Sequence, residues 1–279
     1  FYPVMARTEH NFFNAEDDEG YGNWRANLSY GFARAPLELI ARVAMRDLDY
    51  RQILTADYTM ANSGSAEILR ATQLSFPEQN KSNRDTTFKV ARNKGQVVHD
   101  DGYVAETFAN GSLLVQSHSG FVNYPHAGIL TEPAFLARYP TTETNRNRAR
   151  ARWAFQHFLG VDIEKSAGRT TDPAALADTN NPTLNNPNCA VCHQLHDPVA
   201  GTFRDFGNEG WYRSAYGGKD ALPDNYKYPE EDSSLYTDGD LWFADMRPPG
   251  LGDRYAPVQG DSMRWLAKQI VADPRFAIA

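Results

Sequence analysis

The side chains best placed to do chemistry lie in one short run, Asn188-Cys189-Ala190-Val191-Cys192-His193. It reads Cys-x-x-Cys-His, the attachment signature of a c-type haem. The spacing has a chemical reason. Each thiol adds to one of the two vinyl groups on a porphyrin edge, so two residues must separate them. The next side chain is then held under the ring, where His193 can bring an imidazole nitrogen to the iron. The chain contains 2 cysteines, and both are here. Three other uses of such a pair compete. A thioredoxin-like redox pair wants a βαβ setting, and none is visible nearby. A structural zinc site wants four ligands, and no second cysteine pair exists to join His193 and His196. A disulfide across so short a loop would be strained. The sequence therefore predicts one covalently attached haem c, with Cys189 and Cys192 fixing the ring and His193 on the iron.

The sixth iron position decides what such a centre does. A filled position favours electron transfer, and an open one allows small-ligand or peroxide chemistry. Met246, in the loop Asp245-Met246-Arg247-Pro248-Pro249, is the first candidate. A thioether there would raise the potential, while gap filling is the rival use of any methionine. His118 and His126 are the alternatives. Met263 falls on an apolar helical stripe and reads as core, and Met60 suits either use. His196 follows the motif too closely to swing over the ring. His157 reads as packed beside Trp153, and His10 and His99 read as exposed. Phe203, Phe206, Trp211 and Tyr212 suit packing against a haem or ordinary core. Arg204 and Arg213 suit a propionate, because guanidinium pairs with carboxylate in a fork. Glu16-Asp17-Asp18-Glu19 reads as a solvated loop, and Asp238-Gly239-Asp240 as a tight turn rather than a cation site.

The surrounding elements must hold this motif. A helix is expected over 36–47, with Pro36 in its first turn and Leu37, Ile40, Ala41 and Ala44 as its apolar stripe. Glu38 and Arg42 would pair on its wet side. A second helix is expected near 64–72, and a polar loop over 77–93. Weak alternation over 95–118, with a turn signal at Asn110-Gly111, predicts a short β-hairpin. Thr131 would cap a short helix with Pro133 in its first turn. Thr142 would start a longer one that stops at Gly160, with Ala151, Phe155, Phe158 and Leu159 as its apolar face. Arg146, Arg148, Arg150 and Arg152 on it read as a solvated face, or as a cradle for carboxylates including haem propionates. Residues 161–188 and 214–257 read as loops. Met263, Leu266, Ala267, Ile270 and Val271 predict a helix over 261–273. The expected fold is mainly α and loop-rich, a c-type cytochrome-like haem domain with one short hairpin. Its expected organisation is a mostly helical region at 1–125 and a haem-binding region at 126–279.

Bulk properties narrow the partners. A net charge of −7 over 279 residues offers no basic field for nucleic acid. It suits a basic redox partner protein instead. There is no 18-residue apolar run to span a membrane. The chain opens on Phe1 without a signal peptide and reads as a mature product or an excised fragment. Covalent haem attachment points to the periplasm or the cell surface. The expected function is electron transfer by a mono-haem cytochrome. A haem oxidoreductase with an open distal face, peroxidase-like, and a structural or binding protein stapled by haem within a larger assembly are the rivals.

Several tracts together resemble one family. They are Ala127-Gly128-Ile129-Leu130-Thr131, the arginine-rich helix ending in Phe158-Leu159-Gly160, and Cys189 to Asp197-Pro198. The run from Phe203 through Phe206, Gly210 and Trp211 to Arg213 is another. They resemble the bacterial planctomycete-type cytochrome c domain proteins, whose pattern is Cys-x-x-Cys-His, Asp-Pro and Phe-Asp-x-x-Gly-x-x-Arg. The resemblance runs in patches over residues 45–279. Gln194 and Val199 stand where the family has a small or basic residue and a glycine. The resemblance implies a secreted or periplasmic haem protein in polymer-degrading or respiratory settings.

Overall fold

A computed structural model describes residues 22–69, 71, 73–76, 85–92, 106–108, 111–113, 125–141, 145, 147–166, 168, 170–179, 182–206, 247–257 and 261–277. Helices dominate these residues, with three two-stranded antiparallel ladders. None of the described helices is long and apolar enough to cross a membrane. The chain divides into two compact units, residues 1–138 with 208–215, and residues 139–207 with 216–279.

The first unit is built on helix α1 (Gly22–Met45). Its buried face is Leu28, Phe32, Ala35, Leu39 and Val43. These recur at i, i+4, i+7, i+11 and i+15, a helical period that the shorter 36–47 window hides. The expected stripe is corrected accordingly: Leu37, Ile40 and Ala41 are half-buried and Ala44 is exposed. Pro36 lies inside the helix, not in its first turn. An interior proline costs about 3 kcal/mol. Each large apolar side chain buried recovers roughly 1.5–3 kcal/mol, so the packed face outweighs it. Glu38 pairs with Arg34 at 2.6 Å rather than with Arg42, whose guanidinium lies over the Tyr58 ring.

Two clusters form along α1. Leu28 and Phe32 meet Ala61, Ala66 and Leu69, while Leu39 and Val43 meet Ala56, Tyr58 and Met60. Met60 thus has a core role. After a single turn, α2 (Gln52–Thr55), strand β1 (Thr59–Ala61) leads to α3 (Ser63–Ile68). Asn62 caps α3 in a reciprocal box with Ser65. Strand β2 (Lys89–Ala91) pairs with β1, Met60 opposite Val90, so the expected 77–93 loop contains a strand. The expected hairpin is present: β3 (Glu106–Phe108) and β4 (Gly111–Leu113) pair with Phe108 opposite Gly111. Helix α4 (Pro133–Arg138) starts on its proline. Thr131 does not cap it. Its hydroxyl accepts from the Ala127 amide at 2.8 Å and donates to the Gly128 carbonyl. Gly128 has φ +49°, and a Cβ there would lie 2.0 Å from the Ile53 carbonyl oxygen, so only glycine lets this turn dock on α2.

The second unit holds the arginine-rich helix, α5 (Arg148–Leu159). It ends at Gly160 in the left-handed region, as its sequence predicts, but starts at 148, after Asn147, and not at Thr142. Three single turns follow in the stretch expected to be loop: α6 (Ile163–Ser166), α7 (Pro173–Leu176) and α8 (Pro182–Asn185). Helix α9 (Pro187–Thr202) carries the Cys-x-x-Cys-His run and packs against α5 and α8. A short ladder, β5 (Gly250–Leu251) with β6 (Arg254–Tyr255), also meets α9. The closing helix α10 (Ser262–Ala272) buries Met263, Leu266, Ala267 and Ile270, four of its five expected stripe residues, and Met263 is core.

Candidate functional site

Helix α9 starts sharply because Pro187 occupies its first turn and the Asn186 side chain accepts from the Asn188 amide at 3.0 Å. Its C-terminal half, from His196 to Thr202, is buried. Its N-terminal half is not, so the core grips one end and presents the other. Cys189, Cys192, His193 and His196 fall at i, i+3, i+4 and i+7, one stripe of the helix. All four line a cleft of about 490 Å³, a size typical of cofactor sites. Arg148, Ala149, Arg152 and Trp153 of α5 form another wall, with Ile163 and Leu176 beyond. Leu176 is 68% exposed, apolar surface turned to the cleft without cover.

Both thiols are free and half-buried. His193 Nδ1 lies 2.9 Å from Asp197 Oδ1, one helical turn on. A carboxylate only accepts, so Nδ1 carries the proton and Nε2 is the basic nitrogen. Arg148 in turn grips Asp197 with both arms of its fork, Nε to Oδ1 at 2.7 Å and the terminal nitrogen to Oδ2 at 3.1 Å. The Asp197 side chain is 1% exposed. Burial alone would push its carboxyl up, but the bonds from His193 and Arg148 outweigh it and hold the group below the ordinary carboxylate range.

His196 is buried, and its Nε2 has no hydrogen-bond partner among the described residues. Burial pushes this imidazole down to about 4 despite the opposing Asp197 charge, so it is neutral at pH 7. A stranded acceptor at the cleft wall, an uncovered leucine and two free thiols on one helical face suit a bulky, largely apolar group tethered at its edge. These residues fit a haem bound through Cys189 and Cys192 with His193 Nε2 toward the metal. Among the described residues, no three His, Cys, Asp or Glu side chains converge to hold a bare metal ion.

The described arginines of α5 are not a solvated face. Arg148 serves Asp197, Arg152 pairs with Asp162 at 3.2 Å and Glu164 at 2.8 Å, and Arg150 is fully buried. Arg148 and Arg152 do cradle carboxylates, but those of the protein itself. Trp153 stacks with both Tyr139 and His157, with centroids 5.2 and 5.1 Å away, and those two rings also meet each other, the Tyr139 hydroxyl lying 2.9 Å from His157 Nε2.

The expected cofactor residues are not all brought together. Cys189, Cys192 and His193 share the cleft. Arg204 is buried beside Asp205, 4.0 Å away, and is not among the cleft-lining residues. Phe203 and Phe206 are core. His126 is buried in the first unit. Trp211, Tyr212, Arg213, Met246, His118, His10, His99 and the acidic tracts near 16–19 and 238–240 lie outside the described residues. Asp197 and Trp153 were not expected at the site, and Arg148 was expected there only as one of four arginines offered as a cradle for haem propionates. The His193–Asp197 spacing of four was a readable signal, whereas nothing local pairs Asp197 with a residue 49 positions upstream.

Residues 126–216 match the family model PSCyt3, described as a protein of unknown function (DUF1588). This stretch, about a third of the chain, includes α5 and α9, and the match agrees with the resemblance to planctomycete cytochrome-type domains. No curated protein and no solved structure matches the chain.

Proposed function

We propose that the chain is a mono-haem c-type cytochrome, placed in the periplasm or at the cell surface, that transfers electrons to or from a partner protein. The observation that carries this is the Cys189, Cys192 and His193 stripe of α9 facing a cofactor-sized cleft, with His193 Nδ1 already bound by Asp197. Bound there, a haem supplies a reversible one-electron couple at iron. The chain's residues do the rest. The two thiols fix the ring edge, His193 offers Nε2, and Trp153, Ile163 and Leu176 exclude water from one side of the cleft. The net charge of −7 favours a basic partner.

Export of the chain to the periplasm of a host that attaches c-type haem tests this. The expected product has the mass of the chain plus one haem, resists acid–acetone extraction, and gives the pyridine haemochrome spectrum of two thioether links. Replacing Cys189 and Cys192 by serine should abolish all three signals. Colourless protein with two free thiols after such export would overturn the proposal. The absorbance spectrum then separates the two redox roles. A low-spin ferric form with a methionine-to-iron band supports electron transfer through a ligand such as Met246. A high-spin form assigns the cleft to an oxidoreductase with an open sixth position.

A further inference from the structure

Resting on the haem reading above, we infer that Asp197 and Arg148 are positioning residues that set the reduction potential of the centre through His193. Three facts carry this. The Nδ1–H of His193 donates to Asp197 Oδ1 at 2.9 Å, the carboxylate is 1% exposed, and Arg148 grips the same carboxylate at 2.7 and 3.1 Å. A buried carboxylate on Nδ1 draws the imidazole proton toward itself. That gives Nε2 more anionic character and favours the ferric state. Arg148 opposes this, because its charge takes up part of the carboxylate's basicity. The pair is therefore a graded lever: Asp197 lowers the potential, and Arg148 limits how far.

The two residues act in series, which distinguishes them from charges acting on the haem directly. Arg148 also lines the cleft, so losing its positive charge could by itself favour ferric iron. If Arg148 works through Asp197, its removal has an effect only while Asp197 is ionised. A double-mutant cycle isolates that dependence.

The test uses the haem-loaded protein as wild type, Asp197→Asn, Arg148→Gln and the double variant. Midpoint potentials are read by spectroelectrochemistry at pH 7, with the covalent haem content of each. Asp197→Asn keeps an acceptor for Nδ1 and removes the charge. It should raise the ferrous-to-ferric ratio at a fixed poise at least tenfold, or 59 mV for a one-electron couple. Arg148→Gln should lower the ratio, and the double variant should match Asp197→Asn alone. A haem-loaded Asp197→Asn protein within twofold of wild type would overturn the inference, and so would additive shifts in the double variant. If Asp197→Asn loads no haem, the Arg148→Gln arm decides, and an unchanged or raised ratio there overturns it. Absence of covalent haem from the wild type would strike the proposed function, a different failure from a loaded protein with unmoved potentials.

Discussion

Arg150 carries a full charge into the core and meets neutral acceptors there. It is 0% exposed, and it donates to the Tyr139 carbonyl at 3.0 Å and to Asn147 Oδ1 and the Phe206 carbonyl, both at 2.8 Å. One side chain thus ties the start of the second unit, the N-terminus of α5 and the turn after α9. Hydrogen bonds to a charged group are each worth roughly 1.5–3 kcal/mol, and truncation also strands the buried acceptors. Arg150→Ala should therefore cost at least about 3 kcal/mol in urea unfolding, and Arg150→Lys should recover little, since an ammonium cannot copy the fork. A loss under about 1 kcal/mol would remove this residue as a core pin. In the sequence it is one of four arginines spaced by two, and the row looks uniform. Successive members differ by about 200° around a helix. Arg148 and Arg152, four apart, share the cleft wall, and Arg150 turns into the core. Residue type predicted carboxylate recognition, but which carboxylate each arginine meets depends on partners brought in by the fold.

At the scale of elements, α9 does two jobs along one axis. From His196 to Thr202 it is core, and from Pro187 to Leu195 it displays the motif. The displayed half lacks burial to hold it helical, so its start matters more than usual. Asn186 accepts from the Asn188 amide at 3.0 Å and donates to Asp178 Oδ2 at 2.9 Å. Asn186→Ala removes both, and a lost cap costs about 1 kcal/mol. The expected result is that loss in denaturant unfolding, with faster thiol labelling of Cys189, three residues on, than of wild type. Unchanged labelling would show that the cleft walls alone hold the first turn. This helix also shows what sequence can and cannot give. The motif and the C-terminal stop of α5 at Gly160 were readable because both depend on local chemistry. The start of α5 and the buried face of α1 were not. Asn147 begins α5 without a side-chain cap bond, at φ 65°, and α1 passes through Pro36 because its packing outweighs a local breaker.

For the whole molecule, stability against pH depends on which buried groups still titrate in a given window. Burial pushes Asp205 up to about 6, and His196 is pushed down to about 4. Relative to an unfolded aspartate, Asp205 loses stability as pH rises toward 6. His196 contributes stability above its unfolded value of 6.5 that is lost as pH falls toward 4. The two oppose each other in acid, and by about pH 7.5 both are fully titrated in the folded and the unfolded chain alike. Glu132 is not. It is 3% exposed, and desolvation pushes it up to about 8 although the Thr59 hydroxyl donates to it at 2.6 Å. The folded chain therefore keeps a proton on Glu132 that the unfolded chain, titrating near 4.5, has released. With more protons bound in the native state, stability falls as pH rises, by up to about 1.4 kcal/mol per pH unit until pH passes 8. Between pH 6.5 and 8 the wild type should steadily lose unfolding free energy relative to Glu132→Gln, which is neutral at every pH and of the same shape, and the variant should be the more stable at the upper end. Urea midpoints at pH 6.5, 7.2 and 8 measure this. Equal slopes for the two proteins would assign the decline to other groups and leave Glu132 ionised in the fold.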